Sequence, residues 1–403
     1  MERLNSQRSA DADNAAETDC RGSSGSDPVE IREVASRHDL RQFVRFPYRI
    51  FANDPQWVPR LEFEVTEFVD PKRHPFYLHG AATKFLAWRG GEVVGRILVS
   101  DDPAFNSYHG TNLGCFGMFE SVDDRAVAAA LLDAACVWLK ARGRDAIRGP
   151  IDYSMNYACG LLTKGFDTPP RIMMNHNPPY YSRLLEECGL AKAKDLLAWW
   201  FVDAPNMLTK WKRRSEWLQR RGTVKIRPFS KKDFDAEVQR CNAVYATSTA
   251  RHWGFSPLSD AEFRHLAKQM AWIVDPMQAL VAEVDGKPVG FSITLPDLNE
   301  AIQPLKGRLS TFGVPIGLVR LFFRLRKIKT ARMMVLVVLE EYRRRGVAEL
   351  LILRTLDYGR NTLHYTGAEL SYTLEDNTLI NRTIEAVGAV PYKRYRIYEK
   401  SLV

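Results

Sequence analysis

The residues best equipped for chemistry lie near the C-terminus, in Leu339-Glu340-Glu341-Tyr342-Arg343-Arg344-Arg345-Gly346-Val347-Ala348. Upstream, Met333 to Leu339 reads Met-Met-Val-Leu-Val-Val-Leu, the pattern of a buried strand. Downstream, Val347, Leu350, Leu351, Leu353, Leu356 and Tyr358 recur at helical spacing. A strand–turn–helix of this kind is a phosphate cradle. Gly346 and the small Ala348 let a diphosphate approach the backbone. The first N–H groups of the helix face the anion, and the helix dipole favours it. Arg343, Arg344 and Arg345 add positive charge. The bland alternative is an ordinary basic helix start.

The segment resembles the acyl-CoA pyrophosphate loop of the GNAT N-acyltransferase superfamily, Gln/Arg-x-x-Gly-x-Gly/Ala, with Arg343, Gly346 and Ala348 in its three defined places. The resemblance implies acyl-CoA as a co-substrate, with no permanently bound cofactor and no metal. It implies contacts to the donor from the end of the strand (Val338, Leu339), from the loop through Val347, and from Asn377 and Asn381 in a short later helix. It also implies an oxyanion donor among the backbone N–H groups near Val338 or Leu339.

The elements that must position this loop occur twice. Val29-Glu30-Ile31-Arg32 matches Val224-Lys225-Ile226-Arg227, and Val94-Gly95 matches Val289-Gly290, both offset by 195 (224 − 29 and 290 − 95). Glu120 to Leu131 aligns with Glu340 to Leu351 at an offset of 220, so the second copy gains 25 residues (220 − 195) in between. Asn177 to Gly189 parallels Asn377 to Gly388. Each copy reads as strand, helices, a hairpin at Gly90-Gly91 or Asp285-Gly286, strand, long helix, strand, short helix and closing strand. The expected fold is α+β: two tandem GNAT-like domains, each a central mixed twisted sheet flanked by helices. The expected boundaries are a disordered tail at 1–27, a degenerate domain at 28–203, a basic linker at 204–222, and an acyl-CoA-binding domain at 223–403 with an inserted amphipathic segment at 297–331.

The copies differ at the loop. Where the second has Arg343-Arg344-Arg345-Gly346, the first has Asp123-Asp124-Arg125-Ala126, and two carboxylates would repel a diphosphate. One active site per chain is expected, with the first copy shaping the acceptor pocket. The family's usual thiol acid, a Tyr in the short helix, would fall at 384, where Ile384 stands, and Ala389 replaces the usual Phe. The remaining acid or base candidates are Tyr372, Glu375 and Glu340, with Asp376 beside them. Glu375 and Asp376 also read as helix-cap residues, and Glu340 as a solvated loop acid. His252 is a further candidate base. The stretches 149–160 and 173–181, dense in Asn, Tyr and Met, are candidate pocket walls.

In the insertion, Ile316 to Lys329 mixes eight large apolar residues with Arg320, Arg324, Arg326, Lys327 and Lys329. Such a basic amphipathic helix lies on an anionic membrane or covers a lipid cleft; the bland reading is a helix packed on its own domain. The arrangement resembles a group of bacterial tandem-GNAT proteins that includes N-acyltransferases acting on sphingoid bases. The resemblance implies transfer of an acyl group, long-chain in that case, to a lipid amine. The alternatives are acetylation of a small amine or protein lysine, and a non-catalytic binding protein.

The net charge of +9 suits anionic partners such as CoA phosphates or an anionic membrane. No helix-turn-helix or aromatic–basic interleaving favours nucleic acid. The six cysteines show no metal spacing and read as reduced thiols. With no apolar N-terminal core and no run of about 18 apolar residues, a cytoplasmic protein is expected, with peripheral contact at the inner membrane face through 316–329.

Overall fold

The computed structural model describes residues 27–202, 213, 216, 224–271, 273–305 and 316–403. The tail and most of the basic linker lie outside the described residues.

The chain builds one continuous sheet from two copies of a motif. The first copy supplies β1 (Glu30–Glu33), β2 (Ala81–Arg89), β3 (Glu92–Asp101), β4 (Leu113–Ser121), β5 (Ala146–Gly149), β6 (Leu161–Lys164) and β7 (Ala191–Val202). The second supplies β8 (Lys225–Pro228), β9 (Ala279–Val284), β10 (Lys287–Pro296), β11 (Thr330–Val338), β12 (Gly367–Leu374) and β13 (Val390–Ser401). The helices are α1 (Arg37–Ile50), α2 (Glu62–Phe68), α3 (Pro103–His109), α4 (Arg125–Lys140) and α5 (Tyr181–Glu187) in the first copy. They are α6 (Phe234–Thr249), α7 (Asp260–Ala271), α8 (Asn299–Ile302), α9 (Ile316–Leu325), α10 (Val347–Asn361) and α11 (Thr378–Ala386) in the second.

The strand order is β1-β2-β3-β4-β5-β13-β7-β12-β11-β10-β9-β8, with β6 also pairing β13. The final strands are therefore exchanged. β13, the last strand of the chain, pairs β5 of the first copy, and β7 pairs β12 of the second. β13 and β7 run antiparallel along most of their length at the centre. Neither copy's sheet is complete without the other's closing strand.

The hairpins form where the turn chemistry predicts. Asp285 and Gly286 both have positive φ, at 50° and 73°, the geometry of a two-residue turn matched to strand twist. Each long helix lays an apolar stripe on the sheet. Val127, Leu131, Leu132, Ala135 and Leu139 of α4 are buried, and so are Val347, Leu351, Ile352, Thr355 and Gly359 of α10, each 220 residues further on.

The strands keep a different offset. Gly95 pairs Ser121, and the repeat-equivalent Gly290 pairs Val338, an offset of 217 (338 − 121). The extra 25 residues thus fall in two places. Twenty-two (217 − 195) precede β11, and three (220 − 217) lengthen the turn between strand and helix. Glu120 is therefore not the counterpart of Glu340; that part of the sequence alignment is corrected by the strand register.

A buried polar cluster ties the root of β11 to the first copy. Arg171 pairs Asp297 at 3.0 Å, Arg332 donates to the Ile172 carbonyl at 2.5 Å, and fully buried Glu369 is bonded by Ser371 and Tyr392.

Candidate active site

β11 and β12 run parallel only from Thr330↔Gly367 to Met333↔Leu370, and then diverge. A register irregularity against β10 falls at the same level, between the pairs Ile293↔Val335 and Thr294↔Met333. The result is a wedge with β11 on one wall. The Leu339 N–H donates to the Val289 carbonyl of β10 at 2.9 Å. In an antiparallel ladder, successive N–H groups alternate in direction, so those of Val338 and Leu336 face the wedge, where β12 has left. Of the two oxyanion candidates read from sequence, Leu339 is consumed by the sheet and Val338 is free of it. Leu336 joins it as a second wedge donor, which ladder alternation could have indicated.

Beyond β11 a 3₁₀ turn, Glu340–Arg345, leads to Gly346 at φ 78° and ψ 12°, and α10 begins at Val347. No side chain caps α10, so its first N–H groups are available to an anion. The Val347 side chain is fully buried in the core and Ala348 packs beside it; what each can offer a ligand is its backbone N–H. Arg344 and Arg345 are exposed at this helix end, with Arg345 lying over the Tyr342 ring at 4.8 Å. Arg343 is used differently from the sequence expectation. It donates to the Val338 carbonyl at 3.2 Å and the Ser248 carbonyl at 2.9 Å, binding the turn to the end of α6. Its guanidinium holds the loop in shape instead of presenting itself to a phosphate.

On the opposite wall, Asn381 of α11 donates to the carbonyls of Leu374 and Glu375 at 3.1 and 3.4 Å, while its Oδ1 is buried with no partner. Asn377 precedes α11 without a side-chain cap bond. Ile384 and Ala389 fill the core beside Met333 and Ile352, which accounts for the missing tyrosine: the position is structural in this chain.

Tyr372 lies two residues beyond Leu370, the last residue of β12 paired with β11. Its ring contacts Tyr395 edge-on at 5.2 Å and lies under Arg332 at 5.3 Å. Its hydroxyl is buried without a partner, and burial holds its pKa well above the ordinary range, so it keeps its proton. The other two acid candidates are not brought to it. Glu375 accepts from Lys192 at 2.7 Å and from the Asp195 N–H at 3.0 Å, so its carboxylate is committed to β7. Asp376 is likewise paired with Lys194 at 2.8 Å. Glu340 is largely exposed beside Arg251, at 3.7 Å. His252 lies just past the end of α6, its N–H bonded to the Thr249 carbonyl. Burial, with the nearby Arg343 charge, depresses its pKa, which favours the neutral, basic imidazole.

The first copy meets the second along its 149–160 stretch. Asn156 donates to the Ser256 carbonyl at 3.0 Å and accepts from Tyr245 of α6 at 2.6 Å. Met155 packs with Trp253 and Tyr372 in one cluster, and Gly254 leaves room for the Met155 sulfur, which a Cβ would overlap. The 149–160 stretch is thus a wall shared with the second copy.

The matching wedge in the first copy is closed by its own side chains. The N–H of Ser121, at the register of Val338, donates to the fully buried Tyr181 hydroxyl at 3.0 Å. The Met118 N–H donates to Asp152 Oδ1 at 3.0 Å. Asp124 caps α4 through the Ala126 N–H at 2.7 Å and pairs Arg89 at 2.7 Å, which holds its carboxyl below the usual range. The Ser121 amide and the start of α4, counterparts of the Val338 amide and the start of α10, are thus satisfied within the first copy.

Comparison with known proteins agrees with this geometry. Residues 243–382 match the model of the acetyltransferase (GNAT) family. The chain is 34% identical over 377 residues to Protein YghO of Escherichia coli (strain K12), covering 92% of this chain and 95% of that one. It is 36% identical over 380 residues to a bacterial ceramide synthase of Caulobacter vibrioides (strain NA1000 / CB15N), covering 93% and 98%. Among solved structures, a tandem GNAT protein from the clavulanic acid biosynthesis pathway superposes with a TM-score of 0.55 at 12% identity, over 93% of this chain and 99% of that one. The chain belongs to the GNAT family and is a tandem-domain N-acyltransferase of that family. Its family uses an acyl-CoA as co-substrate, and the donor set of the second wedge fits one: an uncapped helix start, two strand amides and an unpartnered Asn381 Oδ1.

Proposed function

We propose that this chain transfers an acyl group from acyl-CoA, bound in the second wedge, to the amine of a lipid acceptor. The observation that carries the acceptor class is the 36% identity, along nearly the whole length, to a protein named as a bacterial ceramide synthase. The surface of α9 supports it. Val319, Phe322 and Phe323 are more than half exposed, and Arg320, Arg324, Arg326 and Lys327 surround them. An exposed apolar face among cations suits the headgroup region of an anionic membrane, where a lipid amine resides. Among the described residues no helix is long and apolar enough to cross a membrane.

In this reading the diphosphate rests on the Val347 and Ala348 N–H groups, flanked by Arg344 and Arg345, and pantetheine runs along β11 to the Asn381 amide. The amine nitrogen attacks the thioester carbon. The carbonyl oxygen, negative in the tetrahedral intermediate, accepts from the Leu336 or Val338 N–H. His252 takes the amine proton as base. The C–S bond breaks, and Tyr372 donates a hydrogen bond to the leaving thiolate. The proton held by His252 restores the thiol, so the balance closes on an amide and CoA. Glu340 and Glu375 have no part in these steps.

The test is to incubate the protein with a long-chain or a small soluble primary amine and acetyl-, lauroyl- or palmitoyl-CoA, and to follow thiol release. Faster turnover with the long acyl donors is expected. A clear preference for acetyl-CoA, or release only with small soluble amines, would favour the acetyltransferase alternative.

A further inference from the structure

Closing the first wedge does not fill the first copy. A cavity of about 120 Å³ remains on its α1 side, bounded by α1, the following loop, the end of β4 and the 150–177 segment. This volume exceeds what one or two waters occupy. Phe51, Trp57, Val58, Met118, Leu161 and Met174 form the apolar part of its wall, and polar side chains form nearly as much.

At its polar end stands His176, whose side chain is 4% exposed. Nε2 lies 2.7 Å from Asp54 Oδ2, and Nδ1 is buried with no partner. A ring that donates from Nε2 to Asp54 presents Nδ1 as an acceptor. The cationic groups of the wall are already engaged. Arg96 bonds Glu120 at 2.5 Å and the Phe43 carbonyl at 2.6 Å. Arg60 is shared between Asp152 at 3.5 Å and Glu64 at 3.3 Å. The cavity therefore offers an unmet acceptor and apolar surface, with no free cation for a carboxylate or phosphate.

Its rim touches the insertion. Gln303 donates to the Pro55 carbonyl at 2.9 Å, and Asn299 to the carbonyl of Pro170, a cavity residue, at 2.8 Å. These residues belong to the short helical segment on which α9 rests. The exposed amphipathic helix and the cavity are thus joined by one short segment.

We propose that the first copy, having lost the means to hold CoA, keeps this cavity as a second ligand site for the hydrogen-bond-donating head and adjoining chain of an amphiphilic amine or alcohol. The class of ligand rests on the lipid-acceptor reading; the site itself rests on the cavity and on His176. The head donates to His176 Nδ1, and the first part of the chain lies between Phe51, Trp57 and Met174. The site would retain an amphiphile near the insertion before it reaches the second wedge.

The experiment measures binding of dodecylamine, dodecanol and dodecanoate, each below its micelle concentration, to the full chain by calorimetry. Val58→Phe fills the cavity, and His176→Phe removes the acceptor. Arg344→Glu/Arg345→Glu alters only the proposed CoA site. One equivalent of amine or alcohol should bind, with dodecanoate at least about tenfold weaker. Val58→Phe and His176→Phe should each weaken amine binding by about tenfold, an effect of roughly 1.4 kcal/mol, while CoA binding and the melting temperature stay near wild type. The Arg344→Glu/Arg345→Glu variant should bind amine normally. Amine binding that survives both cavity variants, or is lost on adding CoA, overturns the proposal. Acylation of a long-chain amine with no effect of the cavity variants on its binding would leave the lipid-acceptor reading standing and sink this one. Cavity-dependent binding without acylation of any long-chain amine would do the reverse.

Discussion

The hydroxyl of Tyr181 lies 3.0 Å from the amide nitrogen of Ser121. Ser121 pairs Gly95 as Val338 pairs Gly290, so the two amides occupy one place in a repeated motif. In the first copy a side chain of the same copy fulfils that amide; in the second the amide faces an open wedge. The same contrast holds at the helix start, where the Asp124 side chain caps α4 and, among the described residues, no N-cap side chain caps α10. At these two places the first copy puts its own side chains on the backbone donors that the second copy leaves to a ligand or to water.

The arginines of the turn should separate by role. Arg344→Glu/Arg345→Glu places carboxylates at the anion end of α10 and should raise the KM for acyl-CoA by at least about tenfold with little change in melting temperature. Arg343→Ala should instead lower stability by about 1–2 kcal/mol, because two backbone carbonyls lose their donor. Calorimetric melting and steady-state kinetics on both variants distinguish the roles; a large KM effect without destabilisation in Arg343→Ala would place that side chain on the phosphates.

Tyr372→Phe removes a buried hydroxyl that makes no close hydrogen bond among the described residues. Stability should be unchanged or slightly improved, while kcat falls about 10–100-fold, the loss expected for a hydrogen bond to a charged thiolate worth roughly 1.5–3 kcal/mol. Wild-type kcat in the phenylalanine variant would exclude Tyr372 from the chemistry.

His252 should set the acidic limb of kcat/KM. Burial lowers its pKa from 6.5, so the imidazole becomes a competent base as pH rises through a value below 6.5, and the rate falls on acidification through that value. His252→Gln should lower kcat/KM and flatten this limb. A limb that persists unchanged in His252→Gln would assign the base elsewhere.

Asp152 makes a stability prediction with a defined sign. Burial raises its pKa from 3.8 to about 6, against the opposing pull of Arg60. The folded protein binds this proton more tightly than the unfolded chain. The resulting stabilisation is complete below about pH 4 and is lost as pH rises towards 6. Asp152→Asn keeps an oxygen for the Met118 N–H and removes the buried charge. It should therefore be more stable than wild type at pH 8, by on the order of 3 kcal/mol, with the advantage shrinking on acidification through pH 6. Urea unfolding at pH 5 and pH 8 tests it; a gain independent of pH would contradict the buried-charge account.

Much of this was legible in the sequence. The repeat offset and the turn residues located both hairpins, both long helices and the Gly346 turn, because these depend on local spacing and backbone preference. The exchange of β7 and β13 was not legible, since either strand could have closed its own copy with the same alternation of side chains. The strand offset of 217 was hidden by the resemblance of Glu120 and Glu340, which sit on either side of a three-residue lengthening. The role of Arg343 was missed for a related reason. Its position in the motif suggested phosphate, whereas the carbonyls it binds, one on α6 and one on β11, meet only in the fold. Glu375 looked available because its partners Lys192 and Asp195 come from a strand 180 residues earlier.

The central claim is that the chain has one acyl-CoA site, in the second wedge, and that the first is closed by Tyr181, Asp124 and Asp152. Titration of the full chain with a non-hydrolysable acyl-CoA thioether, followed by calorimetry, tests it most directly. The predicted result is one equivalent bound per chain in the wild type, weakened at least about tenfold in Arg344→Glu/Arg345→Glu. Two equivalents per chain, or one whose affinity is indifferent to the Arg344→Glu/Arg345→Glu change, would contradict it.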